Sequence, residues 1–305
     1  MRNRLWIAAF VAVLFVSSIA LSQAAQGRGQ RAAAPPSPTA SLPFDPHDFS
    51  GIWSRNSQGY GGGGTCRGCG DRGFSNDVPP MTPEGQKRFE ANKPSYGRAL
   101  ATPAAAQHPE EAIGRRRAVP PGQGNDLVLK CNPSGMPRMV LYPDPMEFVF
   151  DKNGDKVVQT FQWTHQWRTI YTDGRKLPDD PDVPHWYGYS VGHWDGNTFV
   201  IDSYGFDDRT WVDHFGYPHS DQMKLQERYR RVDHDTLELS MTITDPKTYT
   251  KPWVSETKKF KLLKKEEISY DGWYGMLEEI CAPIDEVDNF VDRVVNPAGG
   301  VEGGK

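Results

Sequence analysis

The chain has 305 residues, with 35 Lys and Arg against 39 Asp and Glu, for a net charge of −4. That balance excludes the basic patch a nucleic-acid binder needs and makes an anionic membrane surface an equally poor partner. With 11% aromatic residues, 30 glycines and 25 prolines, and no long helical periodicity, the chain favours an all-β domain with many turns.

The first residues read as targeting rather than fold. "MRNR" is a basic n-region, "LWIAAFVAVLFVSSIAL" an apolar h-region, and "SQA" ending at Ala24 a small-x-small cleavage signal. Residues 1–24 are therefore expected to be a signal peptide. Removing them takes Arg2 and Arg4 away and leaves 33 basic against 39 acidic residues, a net charge of −6. No integral membrane segment is then expected, and the mature protein should be periplasmic or secreted. Residues 25–42, "AQGRGQRAAAPPSPTASL", read as a flexible linker.

Residues 43–130 read as an irregular N-terminal part packing on the main domain. In "MTPEGQKRFEANKP", Thr82 is placed as an N-cap, Pro83 at the first helical position and Glu84 in the first turn, so a short helix is predicted. An exported chain meets an oxidising compartment, where cysteines default to disulfides. There are four. Cys131–Cys281 is the expected long-range bridge, from the start of the β region to its end, with Cys66–Cys69 of "GTCRGCG" as a local one. A metal site built from all four cysteines is the alternative, although a zinc site would need a second pair nearby and Cys131 and Cys281 stand alone. The C-x-x-C has no βαβ context for a thioredoxin-like role, and Gly70 stands where haem attachment would need a histidine.

Residues 131–295 carry the strands. "MEFVF" and "KVVQTFQW" flank the turn "DKNGD"; "YGYSVGHW" and "TFVIDSYGF" flank "DGN"; "MKLQERYRRV" and "TLELSMTI" flank "DHD"; "WVSETKKFKLL" and "ISYDGWYGMLEEI" follow. Leu237, Leu239, Met241 and Ile243 alternate with Glu238, Ser240, Thr242 and Thr244, giving one buried and one wet face. Strands joined by tight hairpins predict an antiparallel, up-and-down β-barrel, with a β-sandwich as the alternative. Residues 296–305 are expected to be a disordered tail.

Several long stretches, among them "TPEGQKRFEANKPS", "CNPSGMPRMVLYPDPMEF", "GYSVGHWDGNTFVIDSYGF" and "PHSDQMKLQERYRRVDHDTLELSMTITDPKTYTKPW", resemble a family of secreted, uncharacterised proteins from soil bacteria. The resemblance spans roughly Phe49 to Cys281 and implies export, but no activity. Gly51-Ile52-Trp53 is similar to the G-x-W that opens lipocalin barrels. Ahead of a run of hairpins, it implies a lipocalin-like barrel.

The site candidates centre on "FQWTHQWRTIYTDGR". As one strand, Phe161, Trp163, His165, Trp167 and Tyr171 share one face, and Gln162, Thr164, Gln166 and Arg168 the other. A run from Lys156 to Thr172 would extend about 56 Å at ~3.3 Å per residue, so a bulge or bend is expected near Thr164–Gln166. It would turn His165 and Arg168 to the same side. A buried guanidinium needs a partner, and Glu227 is the first internal candidate. Trp163, His165, Trp167, Arg168, Tyr171, Tyr249 and Trp253 are the expected ligand-lining residues of a barrel cavity. His165, His219, Asp213 and Glu227 are the acid–base candidates, because histidine titrates near neutrality and a carboxylate fixes its tautomer. No cofactor and no metal are expected. Gly188-Tyr189-Ser190-Val191-Gly192 matches G-x-S-x-G, but a hairpin and a strand follow where the nucleophile elbow needs a helix. The reading is an exported, lipocalin-like protein binding a small, partly apolar or aromatic molecule. A hydrolase, lyase or isomerase on the same barrel and a structural protein with a filled barrel are the alternatives.

Overall fold

The computed structural model describes residues 42–55, 73–75, 77–94, 124–268, 275–279 and 281. The expected signal peptide, residues 25–41 of the linker, Cys66, Cys69 and the C-terminal tail lie outside the described residues. The strands lie within the unit Pro43–Lys305.

Among the described residues there are ten strands and one α-helix. The strands are β1 (Ile52–Ser54), β2 (Met146–Phe150), β3 (Lys156–Phe161), β4 (Gln166–Tyr171), β5 (Tyr189–Asp195), β6 (Thr198–Tyr204), β7 (Lys224–Arg231), β8 (Thr236–Thr244), β9 (Trp253–Val254) and β10 (Lys258–Leu262). Neighbours in sequence pair from β1 through β8. β10 pairs with both β1 and β8, which closes a nine-stranded barrel. On the edge away from β7, β8 serves two partners: Thr236–Leu239 pair with β10, while Thr242 and Ile243 pair with β9.

The tight turns between the hairpin strands carry the glycines and aspartates that such turns require. Three expectations about the strands need correction. The barrel is mixed rather than antiparallel throughout, because β4 and β5 run parallel, with Ile170 opposite Ser190 and Tyr171 opposite Val191. Residues 172–188 return the chain to the same end before β5 begins, and parallel neighbours demand such a crossover. The N-terminal part is not only an accessory, since β1 closes the barrel between β2 and β10. At the other end, β10 stops at Leu262, and residues 275–279 of the expected last strand are not a strand.

Helix α1 (Pro83–Ala91) forms as its sequence predicts. Thr82 caps it, with its hydroxyl accepting from the Gly85 N–H at 3.1 Å, and Pro83 opens the first turn. The helix docks on residues 245–250 through backbone bonds from Thr82 N to Thr248 O (2.9 Å) and Thr250 N to Pro80 O (3.0 Å). A Cβ at position 85 would run into the Thr248 carbonyl, so this approach requires glycine.

The period-two alternation sends one side of each strand inward. Phe148, Val157, Ile170, Phe199, Ile201, Tyr229, Leu239 and Met241 belong to one buried cluster. The barrel interior is therefore filled by side chains, where a ligand cavity was expected. Trp53 of Gly51-Ile52-Trp53 is fully buried. Its indole donates to Phe49 O at 2.9 Å, and the Arg231 guanidinium lies 5.3 Å from its ring. Cys131 and Cys281 form the expected bridge.

Candidate functional site

The predicted break between β3 and β4 is present as a 3-10 turn over Trp163–His165. Thr164 and His165 take φ values of 54° and 52°, the left-handed region that side-chain-bearing residues seldom adopt. The outcome for the side chains differs from expectation. After the turn the strand register places Arg168 opposite Gln159, facing inward, and Trp167 opposite Thr160, facing outward. His165 stays outside at the corner, exposed, with Nε2 3.2 Å from Leu277 O. The turn thus separates His165 from Arg168. Trp163 is half-buried and stacks on Tyr142 at 4.9 Å.

Arg168 is the centre of a polar plug within the barrel. Nη1 and Nη2 donate to Glu227 Oε2 and Oε1 at 2.7 and 2.8 Å, and Nε donates to Gln159 Oε1 at 2.8 Å. The Tyr229 hydroxyl donates to Glu227 Oε1 at 3.0 Å, and Gln159 Nε2 reaches Tyr229 Oη at 3.3 Å. Burial opposes the charge on Arg168, but the Glu227 carboxylate beside it raises its pKa above the usual value. Burial, and then Glu227, push the Tyr229 phenol well above its ordinary range. Glu227 is fully buried and engaged on both oxygens. This is the structural partner that the cost of burying a guanidinium predicts, not an accessible general acid or base.

The other acid–base candidates sit elsewhere, between β6 and β7. Asp213 is buried and accepts from the Phe74 N–H (3.1 Å) and the Phe215 N–H (2.8 Å). His219 is buried with Nδ1 3.0 Å from Ser220 O and Nε2 2.6 Å from Thr210 Oγ1. Burial lowers its pKa and keeps the ring neutral near pH 7. Tyr249 and Trp253, expected to line a ligand cavity, are core. Tyr249 donates to Pro218 O at 2.8 Å, and the two rings lie 5.1 Å apart. Ser190 is a buried β5 residue whose Oγ is 2.8 Å from Ser203 Oγ, and the strand around it forms no elbow. Among the described residues, no group of three or more His, Cys, Asp or Glu is placed to hold a metal ion.

The accessible feature lies outside the barrel. Residues 175–178 and 184–191 border a cleft of about 600 Å³ against the outer face of β4. Trp167 and Tyr171 contribute from β4, and Trp186, Tyr187 and Tyr189 from the end of the crossover and the start of β5. Trp167 is 63% exposed and Tyr171 37%. Arg168 also lines the cleft, so the plug and the cleft adjoin at the β4–β5 seam. The crossover is anchored where it ends: His185 N donates to Gly205 O at 2.9 Å, and Asp207 N to His185 O at 3.0 Å. Its middle part, Arg175–Pro178, also borders a second groove of about 730 Å³ lined by Asp202, Gln226, Thr242 and Thr244.

Three of the predicted lining residues, Trp167, Arg168 and Tyr171, meet in this cleft. His165, Trp163, Tyr249 and Trp253 do not line it. Sequence reasoning missed Arg175, Lys176, Trp186, Tyr187 and Tyr189. A signal existed: "TDGRKLPDDPDVPHWYG" is a long stretch without secondary structure inside a domain otherwise joined by tight turns, and such loops are uncommon unless they serve a site. Comparison with protein-family models, curated proteins and solved structures found no match.

Proposed function

We propose that this chain is an exported binding protein that holds a small, partly apolar or aromatic molecule in the cleft between β4 and the crossover, on the outside of a filled barrel. The observation that carries the reading is the aromatic wall of that cleft. Trp167 leaves a large ring surface in water at the edge of a concave, ligand-sized volume, beside Tyr171, which the Arg175 guanidinium partly covers. Nothing in the packing of the barrel requires a tryptophan at an outward position 63% exposed. The lipocalin-like reading and the membership of a secreted soil-bacterial family belong to the same proposal. Trp53, buried where β1 closes the barrel, supports the first. The Cys131–Cys281 bridge supports export to an oxidising compartment, the periplasm or beyond. No helix among the described residues is long and apolar enough to cross a membrane.

The acid–base alternative loses support from the separation of His165 from His219 and from the engagement of Glu227 within the plug. The structural alternative is favoured by the filled interior. The two surviving readings differ in one measurement. N-phenyl-1-naphthylamine, a neutral probe that fluoresces in apolar sites, should bind the wild-type protein and lose its signal in Trp167→Ala. Because Trp167 faces outward, that variant should melt like the wild type. No signal with wild-type protein, or a signal indifferent to Trp167, would leave the structural reading standing.

A further inference from the structure

We infer that the cleft selects a planar aromatic acid, its flat body against Trp167 and Trp186 and its carboxylate turned toward Arg175 and Lys176. The inference rests on the binding reading above and names the class of ligand.

The charge of the cleft carries the argument. Among the described residues, its charged lining groups are Arg168, Arg175 and Lys176, and no aspartate or glutamate lines it. Yet the protein is acidic overall, with 39 Asp and Glu against 35 Lys and Arg. The crossover itself contains Asp173, Asp179, Asp180 and Asp182. Asp179 borders the second groove, and none of the four lines this cleft. The segment therefore presents cations to the cleft, and of its carboxylates Asp173 is engaged by Arg175.

The cations differ in what they have left to offer. Arg168 is neutralised by Glu227. Arg175 is held in place: Asp173 accepts from Nε at 2.9 Å and from Nη2 at 2.6 Å, and the guanidinium carbon lies 3.6 Å from the centroid of the Tyr171 ring. Nη1 of Arg175 remains for a ligand, on a guanidinium already oriented by stacking and pairing, so little rotamer freedom is lost on binding. Lys176 makes no ion pair among the described residues. Further in, the Tyr187 hydroxyl is buried near Ser134 and Arg168, and burial pushes its pKa up. The cleft thus offers cations at its mouth, set among aromatic rings. A carboxylate meets the first, and a planar apolar body meets the second.

The test is displacement of bound N-phenyl-1-naphthylamine by 2-naphthoate and by 2-naphthamide, which share a body and differ in charge. The acid should displace the probe at about a tenfold lower concentration than the amide. In the double variant Arg175→Gln/Lys176→Gln, the ratio of the two should fall toward one. Equal displacement by acid and amide, or a ratio unchanged in the double variant, would overturn the inference and leave the cleft as a binding site. Absence of probe binding to the wild-type protein, or probe binding that survives Trp167→Ala, would instead remove the binding reading on which the inference rests.

Discussion

Arg168 illustrates how one residue type fixes its surroundings. A guanidinium taken out of water is tolerated only when nearly every donor has a partner, and here Glu227 and Gln159 accept three of its bonds at 2.7–2.8 Å. Arg168→Ala should therefore destabilise the fold by about 3–5 kcal/mol, because Glu227 would remain buried without its cation. Urea or thermal unfolding would read this directly. The joint replacement Arg168→Met/Glu227→Leu should recover most of the loss, since removing both charges also removes both desolvation costs. A single variant as stable as wild type would mean that water reaches Glu227 and that the plug is not dry. This pairing was legible in the sequence, because cost alone demanded a carboxylate, and Glu227 lies in a strand of the same barrel. The position of His165 was not. It depends on Thr164 and His165 adopting positive φ, which neither residue type announces, and the phase of every side chain after the turn follows from it.

Among the elements, the hairpins and α1 were readable and the crossover was not. Turns such as "DKNGD" and "DGN" specify their own geometry, and Thr82-Pro83-Glu84 specifies a helix start, so local chemistry sufficed. The parallel β4–β5 pair, and β1's return to close the barrel from far upstream, are long-range outcomes with no local signature. What holds the crossover against the sheet is close contact. At Gly205, φ is +77°, and a Cβ there would stand 2.7 Å from Pro181 Cγ and 2.9 Å from the Tyr189 ring. Gly205→Ala should combine backbone strain with overpacking and cost about 1–3 kcal/mol. Its distinctive effect should be local: faster amide hydrogen exchange at His185 and Asp207, whose N–H groups anchor the crossover, and weaker probe binding in the adjoining cleft. If exchange quickened equally in β7 and β8, the effect would be global, and the crossover would not be a separable element.

For the whole molecule, the barrel is closed by short pairings: β1 contributes two residue pairs to β10 and two to β2. The parallel β4–β5 junction is as short, with two residue pairs, and the chain supplies a covalent tie between the ends of the strand region. Cys131 precedes β2 and Cys281 follows β10, so the bridge encloses 150 residues that include all the strands except β1. Chain entropy then predicts a large effect. Closing a loop of that length restricts the unfolded ensemble enough to stabilise the fold by about 5 kcal/mol, with any strain in the native state subtracting from it. Cys131→Ser/Cys281→Ser should lower the melting temperature by on the order of 10–20 °C, the shift such an energy gives in a domain of this size. The double variant removes this bridge alone. The same variant should still bind N-phenyl-1-naphthylamine well below its melting point, because the cleft is built from β4, the crossover and β5, all inside the loop. Lost stability with retained binding would identify the bridge as a constraint on the unfolded chain. Loss of binding at temperatures where the barrel is intact would instead mean that the tie holds the β4–β5 seam in shape.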